Sequence, residues 1–188
     1  KIIKEYNIET QKIIKKKNLI KFLNPILNND IKKKILFSCV VPKAYQKINR
    51  FLKIRKYDVY EIKKLSLKEL IKIKIDKYNQ LGSDRIANAI GAYSLYKKNC
   101  LIIDFGTATT FDIVRNPGVY EGGVIAPGVK LSILNLNRST ATLPVFHLKA
   151  NLKTFGRNTK DALNAGFLWG YQGLINNIIK KIKTSFNC

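Results

Sequence analysis

The stretch Leu101-Ile102-Ile103-Asp104-Phe105-Gly106-Thr107-Ala108-Thr109-Thr110 decides how this chain is read. An apolar run that ends in an aspartate, a glycine and a cluster of hydroxyls is suited to holding a phosphate and its cation. Glycine lets the backbone approach an anion closely, consecutive turn N–H groups can form an anion nest, and the carboxylate can take a metal directly or through water. A second apolar run, Thr110-Phe111-Asp112-Ile113-Val114, follows and stops at the turn signal Arg115-Asn116-Pro117-Gly118. A third, Val119 to Ala126, returns before Pro127-Gly128. This pattern predicts a β-meander whose first turn presents Gly106 to Thr109. Taken alone, D-x-G-T fits an ordinary hairpin turn as well as a phosphate site, because short motifs recur by chance.

The bulk properties narrow the class. A chain of 188 residues is one or two domains with room for a proper core. Its 46% hydrophobic and 25% charged content fits a globular protein, and no apolar stretch approaches the roughly 20 residues that span a bilayer. Cys39, Cys100 and Cys188 show neither paired nor metal-ligand spacing, which is consistent with a reducing cytoplasm. The net charge of +23 would ordinarily point to nucleic acid. Here lysine travels with isoleucine and asparagine, as in Ile71-Lys72-Ile73-Lys74-Ile75, the joint bias that an AT-rich genome imposes. The basic residues are dispersed, and few aromatics interleave with them as a stacking platform requires, so neither nucleic acid nor a membrane is the expected partner. The chain has no methionine, not even an initiator, and is expected to be a piece of a longer protein.

Periodicity places the remaining segments. A basic amphipathic helix is expected over Glu9 to Leu27, ended by turn chemistry at Asn28-Asn29-Asp30. Lys34 to Val41 reads as a strand buried on both faces, stopped by Pro42. Ala44 to Lys53 should be a helix and Tyr57 to Lys63 a strand. Leu81-Gly82-Ser83-Asp84-Arg85 opens a helix through Tyr96, with Ser83 as its candidate N-cap. Further helices are expected over Val129 to Asn137 and about Thr159 to Ile182, the latter with a small-residue face at Ala162, Gly166, Gly170 and Gly173. Alternating strands and helices define an α/β protein.

Two more sites stand out. In Gly82-Ser83-Asp84-Arg85 a carboxylate and a guanidinium meet the free N–H groups and positive dipole end of a helix. Arg85 can take a carboxylate in bidentate fashion and Asp84 can accept a hydroxyl proton, although a capped helix start with a local ion pair explains the same residues. Gly156-Arg157-Asn158-Thr159 precedes the last helix, so its amides and the Thr159 hydroxyl can meet a polar ligand or simply cap the helix. His147, the only histidine, stands in a strand-like stretch and is assigned no role.

The order of these segments is more informative than any one of them. G-S-D-R-I-A-N-A-I-G-A, L-I-I-D-F-G-T-A-T-T-F-D, G-G-V-I-A-P-G, T-A-T-L-P and G-R-N-T-x-x-A-x-x-A-G, in that sequence, resemble the type III pantothenate kinase family. Ser38-Cys39-Val40-Val41-Pro42 is similar to that family's S-S-V-V-P strand end. The resemblance implies a fold of the actin-like ATPase and sugar-kinase superfamily, with ribonuclease-H-like lobes built of mixed sheets flanked by helices. Residues 1–98 would be the remainder of the N-terminal lobe and 99–188 the C-terminal lobe. It further implies a cytoplasmic, homodimeric phosphotransferase that uses ATP, with Mg2+, to phosphorylate pantothenate on the way to coenzyme A. By motif position Asp84 is the expected catalytic base, and Gly82, Ser83, Asp84, Arg85 and Thr159 bind pantothenate. Gly106 and Thr107 bind ATP, and Asp104 holds a potassium or ammonium ion. The competing reading is a non-catalytic relative that serves as a transcription accessory or nucleic-acid-associated factor.

Two segments of the family pattern have no counterpart here. The family opens on a D-x-G-N-T phosphate loop, and it closes on an A-T-G-G loop beside the adenosine. The chain is therefore expected to be a fragment with little kinase activity by itself.

Overall fold

The computed structural model describes residues 5–27, 34–150 and 154–186, which divide into two compact units. The first comprises 1–98 with 115–120, and the second 99–114 with 121–188. Residues 115–120 group with the first unit, so the chain passes between the units three times.

In the first unit, helices α1 (Thr10–Ile13) and α2 (Lys16–Leu27) are followed by strand β1 (Lys34–Phe37), helix α3 (Pro42–Ile54) and strand β2 (Asp58–Glu61). The single helix expected from Glu9 is broken at Ile14-Lys15, and Asn28 to Asp30 lie outside the described residues. β1 and β2 pair in parallel, Lys34 opposite Asp58 through Phe37 opposite Glu61, with α3 as the crossover that a parallel pair needs. Pro42 opens α3 at the position where a missing N–H costs nothing. Ile13, Leu19, Leu23, Ala44, Phe51 and Leu52 form the core, against which Ile35, Phe37 and Val59 pack. Burial of a side chain such as Leu52, 1% exposed, contributes about 2 kcal/mol. β1 is covered on one face only: Leu36 is 62% exposed, and the burial of Lys34 to Phe37 alternates. The expectation of a strand buried on both faces fails because an unbroken apolar run does not say whether a second layer exists to cover it.

The rest of this unit carries the G-S-D-R segment. A two-residue strand β3 (Lys72–Ile73) pairs in parallel with Val119 and Tyr120. Helix α4 (Ser83–Tyr96) follows and ends at Lys97, whose φ of 51° places it in the left-handed region that closes a helix. Tyr93 of α4 donates its hydroxyl to the Asn116 side chain at 3.1 Å. Its ring lies under Gly118, where φ is +83° and an added Cβ would fall 2.8 Å from Tyr93 Cε1. Only glycine fits there.

The second unit is built on strands β4 (Cys100–Phe105), β5 (Ala108–Arg115) and β6 (Val119–Pro127), with β5 central. This is the predicted meander. β4 and β5 are antiparallel, Cys100 opposite Val114 through Phe105 opposite Thr109. Thr109, Phe111, Asp112 and Val114 of the central strand are fully buried. Helices α5 (Val129–Arg138) and α6 (Thr159–Phe186) complete the unit. Residues 143–150 form neither helix nor strand, and His147 among them is exposed. This segment is held instead by the buried Asn164, whose amide accepts from Lys149 N–H at 2.8 Å and donates to Lys149 C=O at 3.0 Å. Phe146 adds an edge-on contact with Phe167 at 5.4 Å.

Candidate active site

Within the first unit the G-S-D-R residues occupy the start of α4. Gly82, not Ser83, is the N-cap: its carbonyl accepts Ile86 N–H at 3.2 Å. Ser83 is 2% exposed and donates its hydroxyl to the Cys39 carbonyl at 2.9 Å. The sequence signal for a serine cap is genuine, but a main-chain carbonyl 44 residues upstream competes for the same hydroxyl and prevails. The S-C-V-V-P segment is thereby fastened to the helix start. Asp84 is exposed, and its Oδ1 accepts the Arg85 N–H at 2.9 Å. The carboxylate therefore folds back over the first turn, where the amides and helix dipole favour negative charge. This posture needs Gly82, because a Cβ there would lie 2.3 Å from Asp84 Oδ1. Arg85 is half-buried beside it. A solvent-facing carboxylate at a helix start can receive a hydroxyl proton, and the guanidinium of the following residue can hold an anion.

Within the second unit, Asp104, Gly106 and Thr107 come together where β4 turns into β5. Asp104 is half-buried and sits opposite Thr110 in the ladder. Thr110 in turn donates to the fully buried Asp112 at 3.3 Å. Because directly opposed residues share a sheet face, Asp104, Thr110 and Asp112 lie on one side of the sheet. The Gly106 N–H is used by the turn itself, donating to Ala108 C=O at 2.9 Å, so it is not part of an open anion nest. Gly106 and Thr107 are exposed at the tip. Thr109, expected at the tip with them, is buried in β5, and its hydroxyl has no hydrogen-bond partner.

The turn is buttressed by Gly128 at the start of α5. Gly128 N–H donates to Thr107 C=O at 3.1 Å, and a Cβ on Gly128 would fall 2.3 Å from that oxygen and 2.5 Å from Gly106 C=O. Among the described residues no group of three or more His, Cys, Asp or Glu is gathered so as to hold a metal ion.

Thr159 is the exposed first residue of α6. The cap is its neighbour Asn158, whose Oδ1 accepts Asp161 N–H at 2.9 Å while its Nδ2 donates to Asp161 Oδ2 at 3.1 Å. With capping done by Asn158, the Thr159 hydroxyl is left for other work. Thr159 lines an apolar groove of about 550 Å³ together with Pro127, Phe167 and Tyr171. Gly156 is pressed against α6, since a Cβ there would fall 2.0 Å from Ala162 N. Tyr171 and Ser132, which bond to each other and brace Pro127, carried no signal in the sequence. Their relation depends on α5 and α6 being packed.

The mixed sheets flanked by helices are those of an α/β protein, and with the family match that follows they are assigned to the actin-like ATPase fold. The chain belongs to the type III pantothenate kinase family, whose model matches residues 1–181. It is 46% identical over 184 residues to the type III pantothenate kinase of Pelagibacter ubique, an alignment covering 97% of this chain and 73% of that one. It is also 46% identical over 104 residues to that of Endomicrobium trichonymphae, covering 55% of this chain and 40% of the relative. A crystal structure from Campylobacter jejuni, described as a candidate Baf family transcriptional activator, superposes with a TM-score of 0.54 at 24% identity over 84% of this chain and 69% of the other. That likeness concerns the fold.

Proposed function

We propose that the full-length protein is an ATP-dependent pantothenate kinase. It transfers the γ-phosphoryl group of ATP to the primary hydroxyl of pantothenate, the first step towards coenzyme A. The observation that carries this reading is the helix start at Gly82 to Arg85. There a glycine-dependent carboxylate and a guanidinium stand at the positive end of α4, the arrangement that an acidic alcohol requires. Asp84 receives the hydroxyl proton, Arg85 holds the pantothenate carboxylate with Gly82 and Ser83 at the same helix start, and Thr159 is a further pantothenate-binding residue. Phosphoryl transfer is mainly positioning and charge neutralisation. Thr107 meets the ATP phosphates, with Gly106 shaping the turn. Asp104 would hold a potassium or ammonium ion, and that ion, with Mg2+ brought by the nucleotide, would supply the charge neutralisation. Family membership supports a cytoplasmic homodimer, and no helix among the described residues is long and apolar enough to cross a membrane.

The test is incubation of the full-length protein with ATP and pantothenate, followed by mass spectrometry for 4'-phosphopantothenate. Absence of that product, with a steeply salt-dependent affinity for DNA instead, would favour the nucleic-acid-associated reading.

A further inference from the structure

The peptide unit joining Pro127 to Gly128 is held at both of its polar ends. Its N–H, on Gly128, donates to Thr107 C=O at 3.1 Å. Its oxygen, on Pro127, accepts the hydroxyl of Tyr171 at 3.2 Å from α6, 44 residues away. Ser132 Oγ lies 2.6 Å from the same tyrosine oxygen. Tyr171 can take a proton from Ser132 while giving its own to Pro127. Ser132 is itself placed by its own N–H, which donates to Gly128 C=O at 2.9 Å. Ser132, Tyr171, Pro127 and Gly128 are thus joined in a ring, closed by the Ser132 N–H on Gly128 C=O, and the Gly128 N–H leads out of it to Thr107. Hydrogen bonds in series through one peptide polarise one another, so a donor at Pro127 O strengthens the donation from Gly128 N–H.

The ring of Tyr171 lies elsewhere. It stacks on Phe167 at 6.1 Å with an interplanar angle of 11°, and it lines the groove that also contains Thr159. One side chain therefore touches the groove beside Thr159 with its ring and the support of the Thr107 turn with its hydroxyl.

We infer that Tyr171 is a positioning residue for the nucleotide: its hydroxyl orients the Pro127–Gly128 peptide and so fixes Thr107 where the ATP phosphates arrive. The inference rests on the reading that Thr107 meets ATP. Tyr171 does not touch the reacting atoms. Its effect is confined to the turn, because the bond at issue ends on a single peptide.

The experiment uses Tyr171→Phe in the full-length protein, which keeps the ring stack and removes one oxygen. Loss of one neutral hydrogen bond predicts an increase of about fivefold in KM for ATP, with KM for pantothenate changed by less than about twofold. Amide exchange read by NMR should be about fivefold faster at Gly128 and unchanged in α4. The non-hydrolysable ATP analogue AMP-PNP should slow Gly128 exchange in the parent protein and do so less in Tyr171→Phe. Ser132→Ala, which leaves the Tyr171–Pro127 bond in place, should shift the same quantities by a smaller factor. Unchanged KM for ATP with unchanged Gly128 exchange overturns the inference. So does an equal rise in both KM values with faster exchange throughout the second unit, the signature of a merely structural role. If the parent protein makes no phosphopantothenate, the proposed function fails, and the exchange measurement with AMP-PNP still decides the role of Tyr171.

Discussion

Ser83 donates its hydroxyl to the main-chain oxygen of Cys39 at 2.9 Å, and this bond fastens the start of α4 to the segment that leaves β1. It does so from a side chain that is 2% exposed, to a carbonyl on a half-buried residue. The residue between the N-cap Gly82 and the exposed Asp84 is thus an anchor, and the residues on either side of it are free to serve chemistry.

Ser83→Ala should therefore act on stability first. Losing this part-buried hydrogen bond costs about 1–1.5 kcal/mol. For a chain of this size the melting temperature should fall by roughly 2–6 °C. Calorimetry on parent and variant checks this. A cap role for Ser83 would instead predict fraying confined to the first turn of α4, visible in amide exchange.

Asp84→Asn keeps the side chain's shape and its acceptance of the Arg85 N–H, and removes the capacity to take a proton. Turnover with saturating pantothenate and ATP should fall by about 10² to 10⁴. The melting temperature should stay close to that of the parent because Asp84 is exposed. Near-normal turnover would remove Asp84 from the role of base.

Gly82→Ala separates the posture of the carboxylate from its presence. The new Cβ would stand 2.3 Å from Asp84 Oδ1, so the carboxylate must leave the first turn. Turnover should drop by at least about tenfold, while KM for ATP holds steady. An unchanged rate would show that the folded-back posture is not the productive one.

Much of this site is visible in the residues before any coordinates. Gly106, Gly118 and Pro127-Gly128 punctuate apolar runs of strand length, so the meander and its turn can be read directly. Local chemistry also marks the starts of α4 and α6. What escapes is whatever depends on a partner distant in sequence. Ser83 looks like a cap until the Cys39 carbonyl arrives. Asn158 rather than Thr159 caps α6 because its amide can bond reciprocally with Asp161. Lys34 to Val41 looks doubly buried, since composition records apolarity but not how many layers cover a strand. The Gly106 amide looks available until the turn closes on Ala108.

Asp104→Ala should abolish stimulation by potassium and lower the rate at saturating ATP by about tenfold or more. The comparison is turnover in potassium chloride against choline chloride at equal ionic strength. The parent protein should be strongly stimulated and the variant indifferent. A parent rate that does not change between the two salts would separate Asp104 from any monovalent cation.

The allocation of residues 115–120 to the first unit has a bearing on how this protein can be taken apart. β3 finds its partner in Val119 and Tyr120, and the Tyr93 ring of α4 is roofed by Gly118. A gene severed at codon 98 would encode a first unit lacking both. During synthesis on the ribosome the same unit stays incomplete until Tyr120 has cleared the exit tunnel, by which time β4 and β5 are already outside. Independent expression of the halves therefore calls for a circular permutation or a grafted hairpin, not a simple cut.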